Sequence, residues 1–179
     1  MLLLCLAIIL AVVFIMAMRP SSSPEAVIAD HAKIDLPELL KEVLAIDLDE
    51  NYPETPEEVM RLFTHTFRIL YGWDKSDVET ISRVIEVQRG LYSQALADIN
   101  SLSQQLSTLL TALDVQYERG LEIIGIYQSS PVFNRFSPDR CVVNIIKYAN
   151  NNQSFHYNHH LFRHPESGRW QIGFWEEVE

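Results

Sequence analysis

Glycine is scarce in this chain: there are six, and no two stand in G-x-G spacing. That absence removes the glycine-rich cradle that wraps a phosphate, and the missing G-x-S-x-G removes the nucleophile elbow. Cysteine is scarcer still. Cys5 lies inside an apolar run and Cys141 stands alone outside it, so no internal disulfide can close in the rest of the chain. Positive charge is short, with 14 Lys and Arg against 24 Asp and Glu and a net charge of −10. Such a surface repels phosphate backbones and anionic headgroups, so no nucleic-acid partner is expected.

One stretch lacks charge altogether. The 17 residues from Leu2 to Met18 are uncharged and almost wholly apolar. As a helix they rise about 26 Å, close to the roughly 30 Å core of a bilayer. A cleaved secretory signal would have a basic start, a shorter apolar stretch and small residues before the cut. Nothing basic precedes Leu2 and no Ala-x-Ala comes after the run, so an uncleaved anchor over residues 1–18 is favoured over a signal peptide. Leu4 before Cys5 is bulky, which argues against a lipidation site. Arg19 beyond the run favours a cytoplasmic domain by charge alone. A signal anchor with almost nothing before it exports the chain on its C-terminal side, and a single-pass cell-membrane protein with an extracytoplasmic domain is the expectation.

Next, "RPSSSPEA" reads as a flexible spacer, residues 19–36, leaving one globular domain over 37–179. "LPELLKEVLAI" is a short amphipathic stretch. Thr55, Pro56 and Glu58 spell a capping box with proline at the first helical position, before Val59, Leu62, Phe63, Phe67 and Leu70; Gly72 stops that helix. Ser76 with Glu79 and Ser101 with Gln104 repeat the grammar for two further helices. Gly90 is expected to kink the second, with Asp98 to Asn100 ending it.

From Gly120 the texture changes to β-branched and aromatic runs: "LEIIGIYQ", "CVVNIIKYA", "QSFHYNHHLFRH" and "RWQIGFWEE". "NNN" and "PESG" supply turns between neighbouring runs. Helices followed by a meander predict an α+β domain, with helices laid on one face of an antiparallel sheet of about four strands. Period two in the closing strand places Trp170, Ile172 and Phe174 toward the helices and Gln171, Gly173 and Trp175 on the other face.

This order of elements, with Trp170 and Ile172 forming a W-x-I segment in "GRWQIGFWEE", resembles the cone-shaped NTF2-like superfamily from about Thr55 onward. The stretch "IDLDENYPETPEEV" after an N-terminal span also resembles a family of single-span proteins from anaerobic Gram-positive bacteria. The superfamily resemblance implies a curved sheet and a pocket inside the cone. In its enzymes an Asp or His acid/base works there beside a Tyr; other anchored members build type IV secretion and conjugation machines, though no motif specific to those is present.

Two stretches invite a metal. Asp47, Asp49, Asn51, Thr55 and Glu58 fall at positions 1, 3, 5, 9 and 12 of a calcium loop. Tyr52 occupies the position that needs glycine, Pro53 comes next, and Thr55 and Glu58 are already a capping pair, so linker and cap are the reading. His156, His159, His160 and His164 crowd one strand. His156 and His160 share a face about 13 Å apart while His159 points the other way, too spread for one zinc ion. No metal and no cofactor is expected.

What remains is a pocket. His65, Tyr71, Trp73, Tyr157 and Trp175 are the candidate ligand-binding residues, with aromatic core as the competing reading for each; Phe133 and Phe136 line the mouth or merely pack. The functional expectation is a non-catalytic, membrane-anchored extracytoplasmic domain that binds a protein partner or a small apolar ligand, with a homodimer through the open sheet face as one such partnership. The alternatives are a subunit of a cell-envelope or type IV secretion-like assembly, and a small enzyme of isomerase or hydratase type.

Overall fold

A computed structural model describes Pro24 and residues Lys33 to Val178. The apolar run Leu2–Met18, and the anchor expected there, lie outside the described residues, as does most of the expected spacer. Among the described residues no helix is long and apolar enough to cross a membrane.

Each helix starts where a side-chain oxygen can satisfy its free N–H groups. Asp35 caps α1 (Leu36–Leu44) by accepting from the Glu38 N–H. Thr55 caps α2 (Pro56–Gly72) in a full capping box: its hydroxyl accepts from Glu58 N at 3.2 Å, and the Glu58 carboxylate accepts from Thr55 N at 3.2 Å. The cap of α3 (Val78–Gly90) is Asp77, not Ser76 as the sequence spelled it. The Ser76 hydroxyl is occupied, donating to Asp74 Oδ1 at 2.8 Å within the preceding turn. Gly90 ends α3 rather than kinking it, and Ser93 starts a separate short helix, α4 (Gln94–Ile99). Ser101 caps α5 (Leu102–Glu118) as its sequence predicts.

The strands are β1 (Ile123–Gln128), β2 (Val132–Asn134), β3 (Ser137–Ala149), β4 (Ser154–Arg163) and β5 (Trp170–Val178). They form one antiparallel sheet in the order β1-β3-β4-β5, with β2 pairing the start of β3. The protein is thus α+β, five helices and an antiparallel sheet of five strands among the described residues. The fifth strand is the three-residue β2. It is too short to show periodicity, so "VFN" carries no strand signal in the sequence. Asn152, at φ 66°, turns the chain from β3 to β4, and Gly168, at φ 71°, turns it from β4 to β5.

Alternation fixes the two faces of the sheet. Cys141, Val143, Ile145 and Ala149 of β3 and Leu161 of β4 are buried, and they share the core with Phe63, Ile69 and Leu70 of α2 and Ile81, Val84 and Ile85 of α3. Val142, Asn144, His156, Asn158 and His160 occupy the alternate positions, facing away from the helices.

β5 breaks the expected alternation. Ile172 pairs with Leu161 but Phe174 pairs with His160, so Gly173 is an extra residue, a β-bulge. Beyond it every side chain changes face. Phe174, expected against the helices, lies on the outer face, 44% exposed and stacked on His160 at 4.1 Å between ring centroids. Trp175 turns inward instead. The bulge needs glycine here, because a Cβ at position 173 would lie 1.9 Å from Cε2 of Phe162.

Candidate functional site

Helix α5 has no fully buried residue. Its apolar stripe, Leu102, Leu106, Leu109 and Leu110, rests on the core without sealing against it. The space it leaves is a cavity of about 290 Å³, walled by α2, α3 and α5 on one side and by β3, β4 and β5 on the other. Phe67, Leu70 and Tyr71 of α2, Ile85 of α3, Leu109 and Ala112 of α5, Tyr157 of β4 and Trp175 of β5 make most of the wall apolar or aromatic. Gln88, Gln105, Lys147 and His159 are the polar groups that converge on it, joined by Asn100, Gln104 and Thr108 nearer its rim.

A chain of hydrogen bonds positions α5. Gln88 Nε2 donates to the Thr66 hydroxyl at 3.0 Å, and Gln88 Oε1 accepts from the Tyr92 hydroxyl at 3.2 Å and from Gln105 Nε2 at 2.6 Å. Three helical segments are thereby tied through uncharged groups, which a low-dielectric interior tolerates only when they are paired.

Among the described residues that hydrogen-bond chain leaves Gln105 Oε1 without a partner, and two further polar side chains in the cavity, Lys147 and His159, stand outside it. Lys147 is 9% exposed, and among the described residues its ammonium has neither an ion-pair partner within 4.0 Å nor a hydrogen-bond acceptor. Three rings surround it: Phe67 at 4.1 Å, Tyr157 at 4.7 Å and Tyr71 at 5.2 Å from Nζ to centroid. Burial pushes its pKa down from 10.5 to about 8, against a weaker opposing pull from the Glu177 carboxylate. His159 is 2% exposed, held edge-on by Phe63 at 5.0 Å and stacked on Trp175 at 5.9 Å, and its Nδ1 has no hydrogen-bond partner. Burial, followed by the charge of Lys147, drives its pKa down to about 3, so the imidazole is neutral at pH 7. Burial also pushes the Tyr71 phenol up to about 12.

Of the five residues singled out from sequence, Tyr71, Tyr157 and Trp175 meet in this cavity. His65 does not. It lines a wider, more polar groove of about 470 Å³ with Tyr52, Glu54, Glu58 and Arg61, on a different side of α2. Burial and the nearby Arg68 and Arg61 charges lower its pKa to about 4. Trp73 is also elsewhere, its indole N–H donating to Asp77 Oδ2 at 3.1 Å beside the α3 cap. Phe133 packs edge-on against Trp170 at 5.9 Å and Phe136 is exposed on the β2–β3 turn, so neither reaches the cavity.

The sequence reading misses Lys147, His159, Gln88 and Gln105, although each carries a signal. Val143, Ile145 and Lys147 share one parity, so the lysine sits at an inward position of an apolar strand. His159 has the same inward parity as Tyr157 and Leu161. Gln88 continues the apolar stripe of Ile81, Val84 and Ile85, and Gln105 lies beside Leu102 and Leu109 on α5. Polar residues on core faces are the pattern to look for.

His156, His160 and His164 have local roles: His160 Nε2 contacts Glu176 Oε1 at 3.0 Å, His156 Nε2 contacts Ser154 Oγ at 3.1 Å, and His164 Nδ1 accepts backbone N–H groups of the next turn. Asp47 Oδ1 accepts from Asp49 N at 2.9 Å and from Glu50 N at 3.4 Å, which makes it a turn-former. Among the described residues no three His, Cys, Asp or Glu side chains gather as a metal site.

An α+β domain with a partly polar cavity between its helices and the inner face of its sheet is the class these observations define. A family profile with the description "Domain of unknown function (DUF6715)" matches residues 1–175, and the chain belongs to that family. A comparison with curated proteins finds no match.

Proposed function

We propose that this chain is a membrane-anchored binding module, displayed outside the cytoplasm, whose NTF2-like cone receives a small, largely apolar ligand without transforming it. The observation that carries the reading is the cavity of about 290 Å³, with its aromatic and aliphatic wall and its few converging polar groups. That combination is the usual make-up of a small-molecule site, and the volume falls just short of the roughly 300 Å³ at which such sites begin. Support for the cone comes from helices laid on one face of an antiparallel sheet, with the cavity between the layers. Support for the anchor comes from the uncharged run Leu2–Met18.

A second reading, a small isomerase or hydratase, draws on one specific observation. The Lys147 amine, pushed down to about 8, is matched to proton transfer near neutral pH in a way that His159, at about 3, is not.

Calorimetric titration of the full chain in zwitterionic lipid nanodiscs with 4-phenylbutan-1-ol tests the proposal, with lipid-only discs as the blank. Saturable heat above the blank is expected, together with its loss in Ala112→Trp, which fills the cavity from α5. Heat no greater than the blank, from this alcohol and from its carboxylic acid counterpart 4-phenylbutyrate alike, would refute the binding reading. Chemical conversion of a carbonyl-bearing ligand, abolished by Lys147→Met, would replace it with the enzyme reading.

A further inference from the structure

We infer that the ligand is a small amphipathic anion, a monocarboxylate with an aromatic or aliphatic tail, whose carboxylate is held by Lys147 on the inner face of the sheet. The inference rests on the binding reading above and adds the charge of the ligand.

An ammonium withdrawn from water loses its hydration, and unless a partner compensates for it the loss is large. Lys147 lies on β3, 9% exposed, and no carboxylate of the described residues comes within 4.0 Å of its charge. The rings of Phe67, Tyr71 and Tyr157 attract the cation through their π faces but accept no conventional hydrogen bond from it. The three ammonium N–H donors therefore have unused capacity, and Lys147 lines the cavity. Val143, which pairs with His159 across the strands, has the parity of Ile145 and Lys147, so the lysine and the histidine belong to the same inward face of neighbouring strands. His159 lines the same cavity and is neutral at pH 7, so it brings no second charge to the site, and its Nδ1 lies too deep for a ligand to reach.

The rest of the wall sets the remaining chemistry. A carboxylate paired with an ammonium away from water makes a charge-assisted contact of the stronger kind. The aromatic and aliphatic side chains Tyr71, Ile85, Leu109, Ala112 and Trp175 suit a tail and have nothing to offer a second charge. From the surrounding elements, the titratable groups facing Lys147 are Tyr71 on α2, Tyr157 and His159 on β4, and Glu177 on β5; the lining residues of α3 and α5 carry no charge. Burial holds Tyr71 and Tyr157 above the usual phenol range, and His159 is neutral, so the ammonium is the first of these to change charge as pH rises past about 8.

The test uses the full chain in the same nanodiscs with two ligands that share a tail, 4-phenylbutyrate and 4-phenylbutan-1-ol. The carboxylate is expected to bind about tenfold or more tightly than the alcohol. Lys147→Met, which keeps length and apolarity, should remove that preference and leave the alcohol affinity within about twofold. If the Met variant fails to retain its far-UV circular dichroism, the wild type alone still decides. Its carboxylate affinity should fall between about pH 7 and about pH 10 while its alcohol affinity stays level. Equal affinities for the two ligands, insensitive to Lys147→Met and to pH, would overturn the anion inference and leave the apolar pocket standing. Failure of both ligands to bind would remove the pocket reading and this inference together.

Discussion

His159 makes acid stability a direct probe of how dry the cavity wall is. Its pKa falls from an ordinary 6.5 to about 3 in the native protein, chiefly through burial. At about 1.4 kcal/mol for each tenfold change in proton affinity, that difference is about 5 kcal/mol. The sign depends on which state takes the proton. Below pH 6.5 the unfolded chain protonates this residue while the native protein does not, so the unfolded state binds more protons and native stability falls as pH falls. The contribution is full above pH 6.5 and declines toward pH 3, reaching a loss of about 2 kcal/mol by about pH 5. A loss of that size is a large share of the 5–15 kcal/mol of a typical domain. His159→Leu keeps a similar volume between Phe63 and Trp175 and removes the titrating group. Urea unfolding of both proteins at about pH 7, 6, 5 and 4, read by tryptophan fluorescence, gives the difference. His65 titrates in the same window but is present in both proteins, so it cancels. The variant should lose less stability than the wild type, with a gap that widens as pH falls. Parallel losses would mean that the imidazole is not shielded from water, and the description of the cavity floor would fail.

Other perturbations report on other parts of the fold. Gly173→Ala places a Cβ into the Phe162 ring and should cost about 1–3 kcal/mol, read as a lower urea midpoint. Ile172→Ala, fully buried, should cost about 2–5 kcal/mol. By contrast, Phe174→Ala on the outer face should cost about 1 kcal/mol; the reverse ranking would refute the bulge. Thr55→Ala should cost about 1 kcal/mol by removing the α2 cap, and calcium should leave the melting temperature of the wild type unchanged. If Leu2–Met18 anchors the chain, the protein stays in the membrane fraction through a carbonate wash. Asp at Ile8, Ile9 and Val12 should release it, at about 2.5–3.5 kcal/mol per central charge.

Local rules are legible wherever one local interaction decides the outcome. Thr55, Pro56 and Glu58 announce their helix because a capping box is complete within four residues, and "NNN" and "PESG" announce turns for the same reason. Ser76 fails as a cap because two side chains, Ser76 and Asp77, compete for one position, and the serine hydroxyl is drawn away by Asp74. The faces of β5 are half legible. Trp170 and Ile172 precede the bulge and point as alternation says; Phe174 and Trp175 come after it and are reversed. A lone glycine inside a strand pattern is the local mark of a bulge or a close approach, and Gly173 is both, with the Phe162 ring filling the space a Cβ would take. The candidate site is half legible too. Aromatic residues draw attention to Tyr71, Tyr157 and Trp175, but His65 lies on the wrong side of α2, and that depends on which stripe of the helix meets the sheet. Lys147 is visible as an inward lysine, yet that no carboxylate among the described residues pairs with it is a property of the packed structure alone.

Whether the cavity beneath α5 takes the ligand can be read by chemical-shift mapping of the full chain during titration with 4-phenylbutan-1-ol. Binding there should concentrate shifts at Tyr71, Leu109, Ala112, Tyr157 and Trp175, with Phe162 and Phe174 on the outer face and His65 in its separate groove unmoved. Shifts confined to the outer face or to the groove around His65, with the cavity residues unchanged, would contradict it.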